Sequence, residues 1–392
     1  MLSFIHAGDV HLGNPFKGLS RQLPEKFQKE IQEASFIAFQ GLIDLAVTEK
    51  VDFVLFPGDL LNGSGVSARV QATLMSGFRQ LKEAGITAIV SFGNHDYQAF
   101  DSQPRFWPEN VLVFDHAVQE KVLTSRSGER VAFTGFSYAD RSERRQRLAD
   151  FPSRNPNVDY EIGLYHGSVG KLGDDYAAFS VDEMLAKNYD YWALGHIHQR
   201  ATLHEQPTIA YSGNLQGLNR TEVGAKGVLL VQSGSHGLVE RFIDLAPVRF
   251  EALTLTNVAD PLAVVDALLQ SNYSLPTFLT LTIDGPLQPA LRQAYDEGHL
   301  LEVIQQSLPK SSNVWPIELT VQEQKTVVDA LSATHDFSTA IEAVIQEGVG
   351  AKKLSDDVPL VVREYLNQPE GQVALRKSLE QLFSERRSSD ED

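Results

Sequence analysis

The sequence predicts an α/β protein: a sandwich of two mixed β-sheets flanked by helices, then a small α+β unit and C-terminal helices. Three observations carry that expectation. Apolar strand-like runs alternate with helical periodicity as far as Phe92; short strands follow one another from Val111; and near Pro247 the pattern restarts on a smaller scale.

The first run, "LSFIHA", is short and uniformly apolar. Residues 23–50 then place Phe27, Ile31, Ala34, Ala38, Leu42 and Leu45 at helical spacing. "VDFVLF" is a second strand, residues 66–83 a second helix and "ITAIVSF" a third strand. Strands without a polar face, separated by helices, need a sheet covered on both sides. From Val111 come "VLVF", "KVLTS", "VAFTGF", "YEIGLYHG", "YWALGHIH", "TIAYSG" and "GVLLVQ", interrupted by a helical segment at 181–187. This second set is expected to form a sheet packed on the first. Beyond "DLAPVRF" the strands "RFEALTLT", "FLTLTIDG" and "VWPIELTV" alternate with helices starting at Pro261 and Pro289. After Val321 the chain reads as amphipathic helices and an acidic, disordered end, "RRSSDED". The expected domains are therefore residues 1–246, 247–321 and 322–392.

Composition narrows the chemistry. The chain has 392 residues and no cysteine, so disulfides and thiolate metal sites are excluded. Any metal must be held by His, Asp, Glu or Asn. "MLSFIHAGDVH" lacks a basic n-region, and no run approaches the roughly 18 apolar residues of a membrane span, so a cytoplasmic address and no membrane partner are expected. The net charge of −17 argues against a broad basic face that coats nucleic acid. Residues 247–392 hold 11 Lys and Arg against 22 Asp and Glu, which leaves only −6 on the first 246 residues. That smaller excess is within what bound divalent ions can offset.

Metal-capable residues gather at the ends of the apolar runs. Asp9 and His11 follow the first, Asp59 the second, and Asn94, His95 and Asp96 the third. His166 ends "YEIGLYH", and His196 and His198 follow "YWALG". Side chains at i and i+2 of an extended chain point to one side, so Asp9/His11 and His196/His198 can each converge on a point. Strand ends in an α/β sheet share one edge, where sites form. Taken singly, Asp9 reads as a turn residue, His166 as a satisfied core histidine and "GHIH" as a chance spacing. Taken together, seven N/O donors exceed the three or four that one catalytic zinc takes, and suit two divalent ions sharing a carboxylate.

In this order, D-x-H, G-D, G-N-H-D, H and G-H-x-H resemble the calcineurin-like metallophosphoesterase superfamily. "FIHAGDVHLGNPFKGL" and "GHIHQ…YSGNLQG" are similar, more narrowly, to the SbcD-type DNA-repair exonucleases and their YhaO-like branch. The motifs cover residues 2–217, and the unit at 247–321 resembles the capping domain of those nucleases. The resemblance implies a dinuclear phosphodiesterase, a DNA exonuclease or endonuclease of repair, acting by in-line attack of a metal-bridging hydroxide. It implies Asp9, His11, Asp59 and His198 on one ion and Asp59, Asn94, His166 and His196 on the other, with Mn2+ as the metal. His95 would face the scissile phosphate and Asp96 would hold its ring. Implied partners are DNA and an SbcC-like, SMC-type ATPase with a long coiled coil; a homodimer is also allowed. Asn62 departs from the family's "GDLFD" pattern, at a position that is not a ligand.

The same metal core serves small-molecule phosphodiesterases and nucleotidases, and that alternative stays open. A catalytically dead scaffold is disfavoured by the intact ligand set. Arg126, Arg130, Arg141, Arg144, Arg145, Arg147 and Arg154 could contact a phosphate backbone or simply form a solvated surface. Phe106 and Trp107 could stack on a base or pack beneath the metal loops.

Overall fold

In the computed structural model, the described residues are 1–16, 19, 23–63, 67–99, 107–235 and 237–322, with positions 373 and 377. The chain divides into two compact units, Met1–Val321 and Gln322–Asp392. The helices expected after Val321 and the aromatic Phe106 lie outside the described residues.

The first sheet takes β1 (Ser3–His6), β2 (Phe53–Pro57), β3 (Thr87–Ser91) and β4 (Val111–Val113) in parallel, with helices α1 (Glu25–Glu49) and α2 (Ala68–Glu83) between them. The second sheet is built from β5 (Gln119–Thr124), β6 (Arg130–Gly135), β7 (Tyr160–His166), β8 (Tyr191–Gly195), β9 (Ala201–Glu205) and β10 (Thr208–Tyr211). Its order is β5-β6-β7-β8-β10-β9, and the short helix α3 (Val181–Leu185) precedes β8. Strands β6, β7, β8 and β10 are parallel, while β5 and β9 run antiparallel at the edges. The chain then returns through β11 (Gly227–Gly234) and β12 (Gly237–Asp244), which extend the first sheet beside β1.

Period-two alternation sorts the side chains into layers. Phe4, Phe53, Leu55, Tyr191 and Ala193 face the core between the sheets. Their neighbours Ile5, Val54 and Phe56 pack under α1 and α2, while Trp192 and Leu194 pack under the loops of the second sheet. Helix α1 buries Phe27, Ile31, Ala34, Ala38, Leu42 and Ala46 and stops at Lys50, whose φ of 53° is left-handed. Helix α2 starts where the Ser67 side chain accepts from Val70 N, two residues inside the expected 66–83.

The last described unit has a three-stranded sheet of β13 (Arg249–Thr256), β14 (Thr277–Asp284) and β15 (Val314–Gln322). Helices α4 (Pro261–Gln270), α5 (Pro289–Asp296) and α6 (Leu300–Ser307) cover one face, packing Val264, Leu268, Leu291 and Ile304 with Leu279 and Leu281 of β14. The helix expected from Pro289 is thus two helices. The other face carries Phe250 and Phe278 onto Leu23, Phe27 and Ile31, so this unit sits on the amino-terminal half of α1. No helix among the described residues is long and apolar enough to cross a membrane.

Candidate metal centre

All nine residues singled out by the sequence lie at one edge of the sandwich, at or just beyond the carboxyl ends of β1, β2, β3, β7 and β8. The first sheet supplies Asp9, His11, Asp59 and Asn94, and the second supplies His166, His196 and His198. Holding them there requires unusual backbone. Asp9, His11, Asp59 and His196 have φ of 47°, 46°, 50° and 98°, where non-glycine residues cost about 1–3 kcal/mol each. Cross-links between the loops enforce these conformations. His11 N donates to Asp59 O at 3.0 Å, and His196 N reaches both oxygens of Asp9 at 2.9 Å. At Gly93 a Cβ would lie 2.4 Å from Asp59 Oδ1 and 2.6 Å from His166 Nε2, so only glycine lets the backbone pass beneath these atoms.

Two groups of ligand-capable atoms result, Asp9/His11/His198 and Asp9/Asp59/His166, each within 4.8 Å of one another. In the first, His11 Nε2 and His198 Nε2 are 3.0 Å apart. In the second, Asn94 Oδ1 lies 2.9 Å from His166 Nε2 and 3.1 Å from His196 Nδ1. Asp9 belongs to both groups, and Asp59 Oδ2 of the second lies 3.4 Å from His166 Nε2 and 3.8 Å from His11 Nε2 of the first. His166 Nδ1 donates to Pro57 O at 3.0 Å, which leaves Nε2 facing the cluster. His198 Nδ1 donates to Glu222 Oε1 at 3.0 Å with the same consequence.

Electrostatics shows the cost of this concentration of polar groups. Burial, reinforced by the charge on Asp59, lifts the Asp96 carboxyl to about 7, and burial lifts Asp9 to about 6 against the pull of His166 and His198. Burial pushes His11 and His196 down to about 3. Burial also works against ionisation of the Asp59–His166 pair, but their mutual attraction wins: Asp59 is held below the usual carboxylate range and His166 is raised to about 9. The donors fit divalent cations. They are nitrogen and oxygen without sulfur, they converge from both sheets, and buried His11 Nδ1 has no hydrogen-bond partner among the described residues to hold its ring.

His95 differs from the rest. Its side chain is exposed, its ring stands edge-on to His11 at 5.0 Å, and its backbone N donates to Asp59 Oδ1 at 2.9 Å. It overhangs the cluster from outside. The expectation that Asp96 holds this ring is corrected. Asp96 Oδ1 accepts from Gly93 N at 2.7 Å and Oδ2 from Leu61 N at 3.0 Å. The carboxylate turns inward because the two loop amides would otherwise be buried without acceptors. It therefore braces the loops after β2 and β3 together. Asn62 accepts from Asn14 Nδ2 at 2.9 Å and joins the loops after β1 and β2.

Three contributors were not singled out from sequence. Tyr138 donates its hydroxyl to His166 O at 3.0 Å, and Tyr176 lays its ring 4.3 Å from that of His196. Glu222 is the third. Tyr138 follows the end of β6 and obeys the strand-end rule that found the ligands; Tyr176 and Glu222 sit in loops without a local pattern.

Six of the seven arginines bond to groups of the protein itself, four of them from exposed positions. Arg126 donates to Lys50 O and Ala84 O, both at 2.7 Å, and Arg130 to Asn157 O at 2.7 Å. Arg144 pairs with Asp175, Arg145 and Arg147 with Glu143, and Arg154 with Asp190. Arg141 is exposed. Trp107 packs against Phe78 and Phe92, with ring centroids 5.3 and 6.2 Å away, beneath the loop that carries Asn94.

Residues 2–200 match the family described as calcineurin-like phosphoesterase. The chain is 36% identical over 333 residues, 81% of each chain, to the uncharacterized metallophosphoesterase YhaO of Bacillus subtilis (strain 168). It is 24% identical over 274 residues to the DNA double-strand break repair protein Mre11 of Methanocaldococcus jannaschii, covering 66% of this chain and 70% of that one. The Mre11 protein of Thermoplasma acidophilum is 26% identical over 242 residues, 58% of this chain and 61% of its own.

Proposed function

This chain belongs to the calcineurin-like phosphoesterases, and from that membership we propose that it is a dinuclear phosphodiesterase whose substrate is DNA. The observation that carries the reading is the convergence of seven N/O donors from two sheets beneath one exposed histidine. Asp9, His11, Asp59 and His198 would hold one divalent ion and Asp59, Asn94, His166 and His196 the other, with Mn2+ as the resident metal. Asp59 is assigned the shared position because its Oδ2 faces a ligand nitrogen of each set. Such a pair of ions supplies a water of lowered pKa and neutralises the phosphoryl oxygens.

The protein's own groups do the rest. His95 meets the ester from the open side and gives its proton to the leaving oxygen. Asp96 fixes the turn that carries His95 by accepting from Gly93 N and Leu61 N. The Pro57 carbonyl and the Glu222 carboxylate set which nitrogen His166 and His198 present.

DNA is favoured by the relatives named as DNA double-strand break repair proteins, which align over 58–66% of this chain. One observation favours a smaller ester: the net charge is −17, and six of the seven candidate arginines are committed to partners within the protein. On the DNA reading, an SMC-type ATPase partner would supply the missing affinity. The test offers end-labelled duplex and single-stranded DNA, bis(p-nitrophenyl) phosphate and cyclic nucleotides, each with Mn2+ or EDTA. Mn2+-dependent shortening of labelled DNA is expected. Turnover of the small esters with no DNA cleavage, even beside such an ATPase, would replace DNA by a small phosphodiester.

A further inference from the structure

His198 is the candidate ligand whose placement needs the most support. His166 belongs to a strand, and its far nitrogen is fixed by the main chain of the neighbouring sheet. His198 follows the end of β8 in a segment without regular structure and remains partly exposed. Its ring is held by a side chain delivered from another loop, that of Glu222.

The holder is itself fully engaged. Glu222 Oε1 accepts from His198 Nδ1 at 3.0 Å and Asn219 Nδ2 at 2.7 Å; Oε2 accepts from Leu218 N at 2.9 Å and from Asn214 Nδ2. Four donors on one carboxylate leave it a single orientation. The other end of His198 is pinned as well, since its carbonyl accepts from Lys226 Nζ at 2.8 Å and Asn214 N at 3.2 Å. Ring and backbone are thus tied to the same 214–226 segment.

We propose that Glu222 is a positioning residue: it fixes the His198 ring with Nε2 toward the ion shared with Asp9 and His11. A carboxylate on the far nitrogen of a ligand histidine selects the tautomer and strengthens the ligand, and its loss typically costs about 10–100-fold in metal affinity. The selectivity follows from connectivity. Glu222 touches His198 alone among the seven donors, so its removal weakens one ion and spares the one near Asn94 and His166.

This inference rests on the two-ion reading above, and calorimetric titration with Mn2+ tests both without using any substrate. The wild type is expected to bind two ions. Glu222→Gln keeps the shape of the side chain and should weaken one of them about 10–100-fold, leaving the other within about twofold. Electron paramagnetic resonance of the Mn2+-loaded protein supplies a second readout: the variant, at one equivalent of Mn2+, should show an isolated ion. Glu222→Asp, which retains the charge, should recover part of the affinity. Two ions bound with wild-type affinity in Glu222→Gln and Glu222→Ala would overturn the assignment. Equal loss of both ions would also overturn it, because Glu222 would then be supporting the fold of the whole edge. A wild type that binds no ion would remove the two-ion reading and this inference together.

Discussion

Asp52 and Asp59 flank the same strand, β2, and are both buried, yet they behave as different kinds of residue. Asp52, at the amino end, accepts from Ser3 N at 3.0 Å and Arg126 N at 2.8 Å. Around it Arg126 caps the chain ends after α1 and α2, and Asn110 donates to Phe78 O and Ile86 O. Every one of these polar side chains bonds to main-chain groups. Asp59, at the carboxyl end, has left-handed backbone and lies among histidines that compete for the same protons. Buried polarity that answers to the main chain is structural. Buried polarity whose main neighbours are other ligand-capable side chains, on strained backbone, calls for a cation.

The paired substitutions Asp59→Asn and Asp52→Asn press hardest on this contrast. Asp59→Asn should abolish binding of at least one ion and lower turnover by about 10³-fold, and it should cost stability without metal as well, because the buried attraction to His166 is lost. Asp52→Asn should keep both ions and lose about 1–3 kcal/mol of stability, because an amide NH2 would then face a donor. Metal titration beside urea unfolding separates the two; equal metal loss in both variants would erase the distinction between the edges.

His95→Ala sharpens the functional side. The ring is exposed and donates nothing to the buried cluster, so both ions should remain while turnover of a phosphodiester falls by about 10²–10⁴-fold. Metal content falling in step with activity would make His95 a ligand.

The sequence exposes one edge far better than the other, for a physical reason. Ligands gather at strand ends, so Asp9/His11 and His196/His198 are visible without a structure as i, i+2 pairs closing apolar runs, although left-handed backbone at Asp9, His11 and His196, not an extended chain, is what aims them. The three strands of the first half were legible because they are apolar on both faces. Strands β9 and β12 were not, since "ATLHE" and "GLVERFID" expose alternate residues and read as loops. Nor does anything local assign β11 to the first sheet, far from its predecessors in sequence. Arg126 reads as surface charge because the carbonyls it caps, Lys50 O and Ala84 O, come together only in three dimensions. Glu222 is hidden for the same reason, and Asp96 was misassigned because loop amides are invisible in a motif.

An effect absent at neutral pH probes the rule within the metal edge itself. His6 lies at the carboxyl end of β1, three residues before Asp9, and is fully buried. Its partners are a hydroxyl and a main-chain carbonyl: Tyr191 OH lies 3.0 Å from Nδ1, and Leu194 O lies 2.9 Å from Nε2. The carbonyl can only accept, so Nε2 carries the proton and Nδ1 takes the tyrosine hydrogen. By the contrast drawn above His6 is structural although it is a histidine at the ligand-rich edge. Burial lowers its pKa from 6.5 to about 4, opposed in part by the bond to Leu194. The unfolded chain therefore binds this proton more readily between those values. Its share of stability is complete above pH 6.5 and drains away as the pH falls to about 4, in total about 3 kcal/mol. His6→Gln should flatten that part of the pH dependence of urea unfolding while binding two Mn2+ ions at neutral pH. Loss of an ion in His6→Gln would show that position along the edge, rather than the identity of the partners, decides which histidines serve metal.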